Sequence, residues 1–200
     1  MATDIQKLLS NLKRFYDFSG KTIISVGAGG GQLIEYGRTA KQVYAVDNDL
    51  AAIEILKDRL ELDQDLKQKF TVLHTDFYDI DIHADVVFYE FSLHEMSNPK
   101  TAIRKALQLA PQVVIADHGP YSEWTWLIGE EDKVACVWTA YLKPCITKLQ
   151  VYEATQQFAD FEELYNKVKT QGEATINRIE KYRYATNISI PMQYVFALIN

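Results

Sequence analysis

Short runs of β-branched and aromatic residues near 22–27, 42–47, 70–74, 85–90 and 112–117 alternate with stretches whose apolar positions recur at helical spacing. Short apolar runs bounded by glycine, proline and aspartate predict strands, and the periodic stretches between them predict helices. Residues 49–60 set Leu50, Ile53, Leu56 and Leu60 on an inward face. The next helix takes Asn98 as N-cap and Pro99 as its first residue, buries Ile103, Ala106, Leu107 and Ala110, and stops at Pro111. This βαβα rhythm implies an α/β fold in which a parallel sheet is wrapped on both faces through right-handed crossovers.

The two ends depart from that rhythm. A helix over about 3–17 is expected from Ile5, Leu8, Leu9, Leu12 and Phe15, with Thr3 and Gln6 as a capping box. Residues 121–158 are expected to form an irregular helical cap, with Val134, Trp138, Tyr141, Leu142 and Leu149 on one face and a kink at Pro144. Asp160 and Glu163 then cap a helix with Phe161, Leu164, Tyr165 and Val168 as its stripe and Gly172 as its stop. The closing runs "RIEKYRYATNISI" and "MQYVFALI" are expected to form an antiparallel hairpin about Pro191.

With 200 residues, 48% of them hydrophobic, the chain suffices for one domain with an ample core, and a second would be cramped. The formal charge of −6, with lysines and arginines scattered, would repel a phosphate backbone, so nucleic acid is not an expected partner. Cys136 and Cys145 are too few for a disulfide framework or a four-cysteine zinc site, and read as reduced thiols of a cytoplasmic protein. The N-terminus lacks a signal peptide's apolar core, and no apolar run approaches a membrane span.

The first strand runs straight into Gly27-Ala28-Gly29-Gly30-Gly31, with a helix expected beyond, which is where an open α/β sheet binds ligand. No Gly-Lys-Ser/Thr ending follows, so a nucleoside triphosphate loop is excluded. The dinucleotide pattern GxGxxG fails at Gln32, whereas GxGxG fits at Gly27, Gly29 and Gly31. Asp47 ends the second strand, with Asn48 beside it; a carboxylate there can accept both hydrogen bonds of a ribose diol. A plainer role as a helix cap falls better to Asp49. After the third strand, Asp76 and Phe77 offer a carboxylate and an apolar ring to an adenine edge, with a turn cap as the alternative.

On these residues, from "VGAGGG" through "AVDND", "HTDFYD" and "VVFYEFSLHEM" to the closing run, the chain resembles the class I S-adenosylmethionine-dependent methyltransferases. The resemblance implies a seven-stranded, mostly parallel sheet of order 3-2-1-4-5-7-6 with the last strand antiparallel, in a three-layer αβα sandwich. It implies S-adenosylmethionine as cofactor and S-adenosylhomocysteine as product. Gly27, Gly29 and Gly31 would pass under the methionine part, with Asp47 on the ribose and Asp76 and Phe77 at the adenine. The family often carries an acid two residues before the first glycine, where this chain has Ser25.

Methyl transfer from a sulfonium is mainly a matter of alignment, and a base matters only when the acceptor is protonated. Glu90, His94 and His118 are the expected catalytic groups, Glu90 also touching cofactor, while Tyr16, Glu95, Asp117 and Trp124 are expected to meet substrate. Tyr16 is read as a lid from the N-terminal helix. Some catechol-type members hold a divalent metal at the same strand ends, but His118 stands where an amide is usual, and no metal ligand is assigned. The motif of exocyclic-amine nucleic-acid methyltransferases is replaced by Glu90-Phe91-Ser92-Leu93, which favours a small-molecule acceptor. A nucleotide-binding oxidoreductase using NAD, or a methyltransferase-like protein that binds without turnover, are the alternatives. A homodimer is allowed for.

Overall fold

A computed structural model describes residues 5–143 and 145–200. Helix α1 (Ile5–Phe15) leads into β1 (Thr22–Val26), β2 (Gln42–Asp47), α2 (Leu50–Glu61), α3 (Gln64–Lys67), β3 (Phe70–His74), β4 (Val86–Glu90), α4 (Pro99–Leu109) and β5 (Val113–His118). The remainder comprises α5 (Glu123–Ile128), α6 (Glu131–Ala135), a π-helical stretch Cys136–Leu142, β6 (Ile146–Asp160), α7 (Phe161–Val168), α8 (Glu173–Ile179) and β7 (Thr186–Ile199). The seven strands form one sheet in the order β3-β2-β1-β4-β5-β7-β6, with β1 to β5 parallel and β7 antiparallel to β5.

Alternation along each central strand sends side chains to two separate cores. Ile23, Val43, Phe88 and Val114 face α1 and α5, while Ile24, Val46, Tyr89 and Ile115 face α4 and the π-helical stretch. Helix α4 begins as expected: Asn98 accepts the Thr101 N–H at 3.0 Å and Pro99 needs no partner at the first position. Asp49 caps α2 by accepting from the N–H groups of Ala51 and Ala52. Three positions expected on apolar faces are instead surface: Leu50 in the first turn of α2, Leu107 on the outer side of α4 and Tyr165 on α7.

The C-terminal region corrects the sequence reading. The helical cap ends at Leu142, and Leu149 lies half exposed on β6, a long edge strand whose inward positions are Tyr152, Ala154, Gln156 and Phe158. Gln and Ala on that face blur the period-two signal. No hairpin turns at Pro191; the chain from Glu173 to Tyr182 is helical, and Pro191 lies inside β7 opposite Thr155. Gln193 turns its backbone toward β5, where its carbonyl accepts the Gly119 N–H at 2.7 Å. Pro191, two residues earlier, faces the same side beyond the end of β5, so its missing N–H costs no ladder bond. Pro144, Thr3 and the Tyr141 side chain lie outside the described residues.

The capping pair holds: Asp160 accepts the Glu163 N–H at 2.9 Å, and the Glu163 carboxylate accepts from Ala159 N–H at 2.7 Å. No helix among the described residues is long and apolar enough to cross a membrane.

Candidate active site

The parallel strands end together, and the loops after β1, β2, β3 and β4 enclose a cavity of about 530 Å³. That is within the usual range for a small-molecule site. Gly27, Gly29, Asp47, Asn48, Asp76, Phe77, Glu90 and Glu95 all line it, together with Phe91 and Met96. Its lining includes the carboxylates of Asp47, Asp49, Asp76, Glu90 and Glu95 and, among the described residues, no lysine or arginine.

The glycine turn is shaped by its neighbours. Gly27 has φ +69°, and a Cβ there would sit 2.2 Å from the Ser92 Cβ, so the β4 loop can cross only a glycine. Ser92 locks that crossing by donating its hydroxyl to the Val26 carbonyl at 2.8 Å. Gly31 does not line the cavity; a Cβ there would meet Leu56 at 2.8 Å, so its role is the close approach of α2. The α-helix expected after the turn is a six-residue 3-10 helix, Ile34–Thr39, in which Gly37 is pressed against the Phe70 ring.

Asp47 is committed to this turn. One carboxylate oxygen accepts the Gly29 N–H at 2.8 Å and the other the Asp49 N–H at 2.9 Å, leaving further lone pairs for a ligand. Asp76 accepts the Tyr78 N–H at 2.9 Å, the turn-cap role weighed above, while still lining the cavity. Phe77 is buried with its ring edge against Tyr89.

Glu90 places a carboxyl group directly beside Ser25. Ser25 and Glu90 project from adjacent strands onto one face, and the Ser25 hydroxyl donates to the Glu90 carboxylate. Tyr36, from the 3-10 helix, donates a second bond at 2.8 Å. Burial pushes the Glu90 carboxyl up to about 7, with the two hydroxyls opposing and the Asp47 charge adding to the rise. The acid thus stands on β4 and is held by two neutral hydroxyls.

A second cluster lies beside the cavity. Asp117, fully buried at the end of β5, accepts from His94 Nδ1 at 2.5 Å and from the backbone N–H of His94 and of His118. On the other side of the ring, His94 Nε2 lies 3.4 Å from Glu130 and 3.9 Å from Glu95. Burial would lower the His94 pKa, but Asp117 and Glu130 raise it to about 10. Burial would raise Glu130, but His94 holds it below the usual carboxylate range. His118 stands 5.4 Å from His94, ring to ring; burial lowers it to about 4, Asp117 opposing and the His94 charge reinforcing. The buried Nδ1 of His118 makes no hydrogen bond.

Two expected contacts fall elsewhere. Tyr16 is buried at the opposite end of the sheet, where its hydroxyl donates to Gln112 at 2.6 Å just before β5, so it is no lid. Trp124 is core, stacked on Phe158 with centroids 5.8 Å apart. Two residues, Tyr36 and Glu130, were not legible in the sequence, and neither was the partner of Ser25. Ser25 meets Glu90 across adjacent strands and Tyr36 reaches it from the 3-10 helix, and Glu130 is turned inward after Gly129, which ends α5 at φ +77°. Nothing in "GEEDK" distinguishes Glu130 from the acids after it.

Residues 24–112, somewhat under half of the chain, match the family described as "Methyltransferase domain". Curated protein sequences give no match. Among solved structures, the chain resembles a protein of Bacillus halodurans C-125 provisionally assigned as a methyltransferase, with 15% identity, a TM-score of 0.68 and 98% of this chain and 97% of that one covered. A protein of Pyrococcus horikoshii provisionally assigned as an RNA methyltransferase gives 16% identity and a TM-score of 0.59 over 98% and 82%. A SAM-dependent methyltransferase of Aquifex aeolicus gives 19% identity and a TM-score of 0.53 over 100% and 91%. At these identities the likeness shows the fold. The family match, over residues 24–112, falls on the strands and loops that line the cavity.

Proposed function

We propose that the protein transfers the methyl group of S-adenosylmethionine to a small-molecule acceptor. The observation that carries this reading is the cavity lining, which combines a glycine turn with five carboxylates, Asp47 and Asp76 among them, and, among the described residues, no cationic side chain. Such a lining opposes the diphosphate of NAD and suits a nucleoside bearing positive charge. In this reading Asp47 and Asn48 hold the ribose, Asp76 and Phe77 the adenine, and Glu90 the ammonium group. Gly27 and Gly29 let the backbone approach the ligand.

The acceptor then lies between Glu95 at the rim and the His94–His118 pair. Its lone pair forms the new bond to the methyl carbon as the carbon–sulfur bond breaks, and the sulfonium becomes the neutral thioether of S-adenosylhomocysteine. His94, kept charged by Asp117 and Glu130, orients an acceptor rather than taking its proton. The formal charge of −6 weighs against an RNA substrate such as the Pyrococcus protein's assignment names.

Incubation with methyl-labelled S-adenosylmethionine and cell extract, followed by separation of macromolecules from small solutes, tests this. Label in the small-solute fraction supports the reading. Label in RNA or protein alone would replace the acceptor class, and tight cofactor binding with no transfer would remove catalysis.

A further inference from the structure

Beside the cavity, three ligand atoms from three elements converge: a ring nitrogen of His94, a ring nitrogen of His118 and a carboxylate oxygen of Glu130, all within 4.8 Å of one another. We infer that these three residues bind one divalent transition-metal cation of the zinc class, which displaces the proton that His94 holds at Nε2 in the metal-free protein. Imidazole with a single carboxylate is the donor set that such borderline cations take, in preference to magnesium or calcium.

Three features favour a metal over a plain ion pair. Bonds of about 2.0–2.1 Å in tetrahedral array put neighbouring ligand atoms about 3.3–3.4 Å apart. His94 Nε2 and Glu130 Oε2 lie 3.4 Å apart, so this edge already has the spacing. Asp117 holds Nδ1 of His94 at 2.5 Å, the carboxylate–histidine arrangement that fixes a ligating ring and aims its other nitrogen at the metal. The third feature is the His118 Nδ1, buried without a hydrogen-bond partner, which an ion pair between His94 and Glu130 leaves unsatisfied and a metal would engage. Rotation of the His118 ring closes the set.

Three protein ligands leave a fourth position, the pattern of a site that takes an exogenous donor. That position opens toward Glu95, 3.9 Å from His94 Nε2 and part of the cavity lining. A thiol or hydroxyl acceptor bound there would be acidified next to the methyl donor. Only this last step rests on the methyl-transfer reading; metal binding does not.

The test is a Co²⁺ titration of chelator-treated full-length protein carrying Cys136→Ser and Cys145→Ser, since both thiols are exposed and would compete as ligands. No methyl donor is present, so the result is independent of catalysis. One equivalent of Co²⁺ should produce visible ligand-field bands that Zn²⁺ abolishes and excess Mg²⁺ leaves unchanged. His118→Ala and Glu130→Gln should each weaken Co²⁺ binding at least tenfold while far-UV circular dichroism stays native. Asp117→Asn, which acts through His94, should weaken it about 10–100-fold. Absence of the bands, or bands of unchanged affinity in both His118→Ala and Glu130→Gln, would overturn the site and leave His94 and Glu130 as an ion pair only.

Discussion

Glu90 and Asp117 end neighbouring strands at almost the same depth, yet the fold accommodates their charge in opposite ways. Glu90 is surrounded by neutral donors, Ser25 and Tyr36, and burial drives its carboxyl toward the protonated form. Asp117 is matched by a histidine that it keeps charged and by two backbone N–H groups. A buried acid must be neutralised by a proton or by a partner, and the choice sets its use. A carboxyl held near neutrality can take up a cationic ligand by releasing its proton, whereas a paired one serves to fix geometry.

The largest effect should come from breaking the paired side. Asp117→Ala leaves a buried histidine with Glu130 as its main acidic partner and should cost about 3–5 kcal/mol in urea denaturation. A loss under about 1 kcal/mol would mean that the pair contributes little. On the neutral side, Glu90→Gln keeps an acceptor for both hydroxyls and removes the titration. Below pH 4.5 the wild-type carboxyl is protonated in both folded and unfolded chains, and between 4.5 and about 7 only the unfolded chain releases its proton. His118, lowered to about 4, adds stability as pH rises from about 4 to 6.5, and against that background Glu90 contributes a falling slope through its own window, by about 3 kcal/mol in all. Glu90→Gln should remove that slope, and an unchanged slope would show that the carboxyl ionises freely. Ser25→Ala deletes one of the two donors and should lower stability above pH 7 by about 1 kcal/mol, with little change at pH 4, where the carboxyl is neutral.

How much of this was legible depends on where the partners come from. The central strands β1, β4 and β5 announced themselves because parallel strands covered on both faces read as apolar runs; all five residues of Val86–Glu90 are buried. The β6 edge has one covered face and carries Gln156 and Ala154 on it, so a helical period fitted it equally well. Pro191 looked like a turn because its harmlessness depends on where β5 stops, which is a tertiary fact. In the site, Gly27, Asp47 and Asp76 could be read from spacing along single strand–loop units. Ser25 with Glu90 and His94 with Glu130 are distant in sequence and joined only by the fold.

The central claim, a cavity for a phosphate-free nucleoside, is tested most directly by thermal unfolding with S-adenosylhomocysteine, S-adenosylmethionine and NAD in parallel. A ligand at 100 times its dissociation constant adds about 2.7 kcal/mol, which for a chain of this size raises the midpoint by roughly 5–10 °C. The account predicts that rise with S-adenosylhomocysteine and S-adenosylmethionine, its loss in Asp47→Ala, and no rise with NAD. A rise with NAD and none with S-adenosylhomocysteine would contradict it.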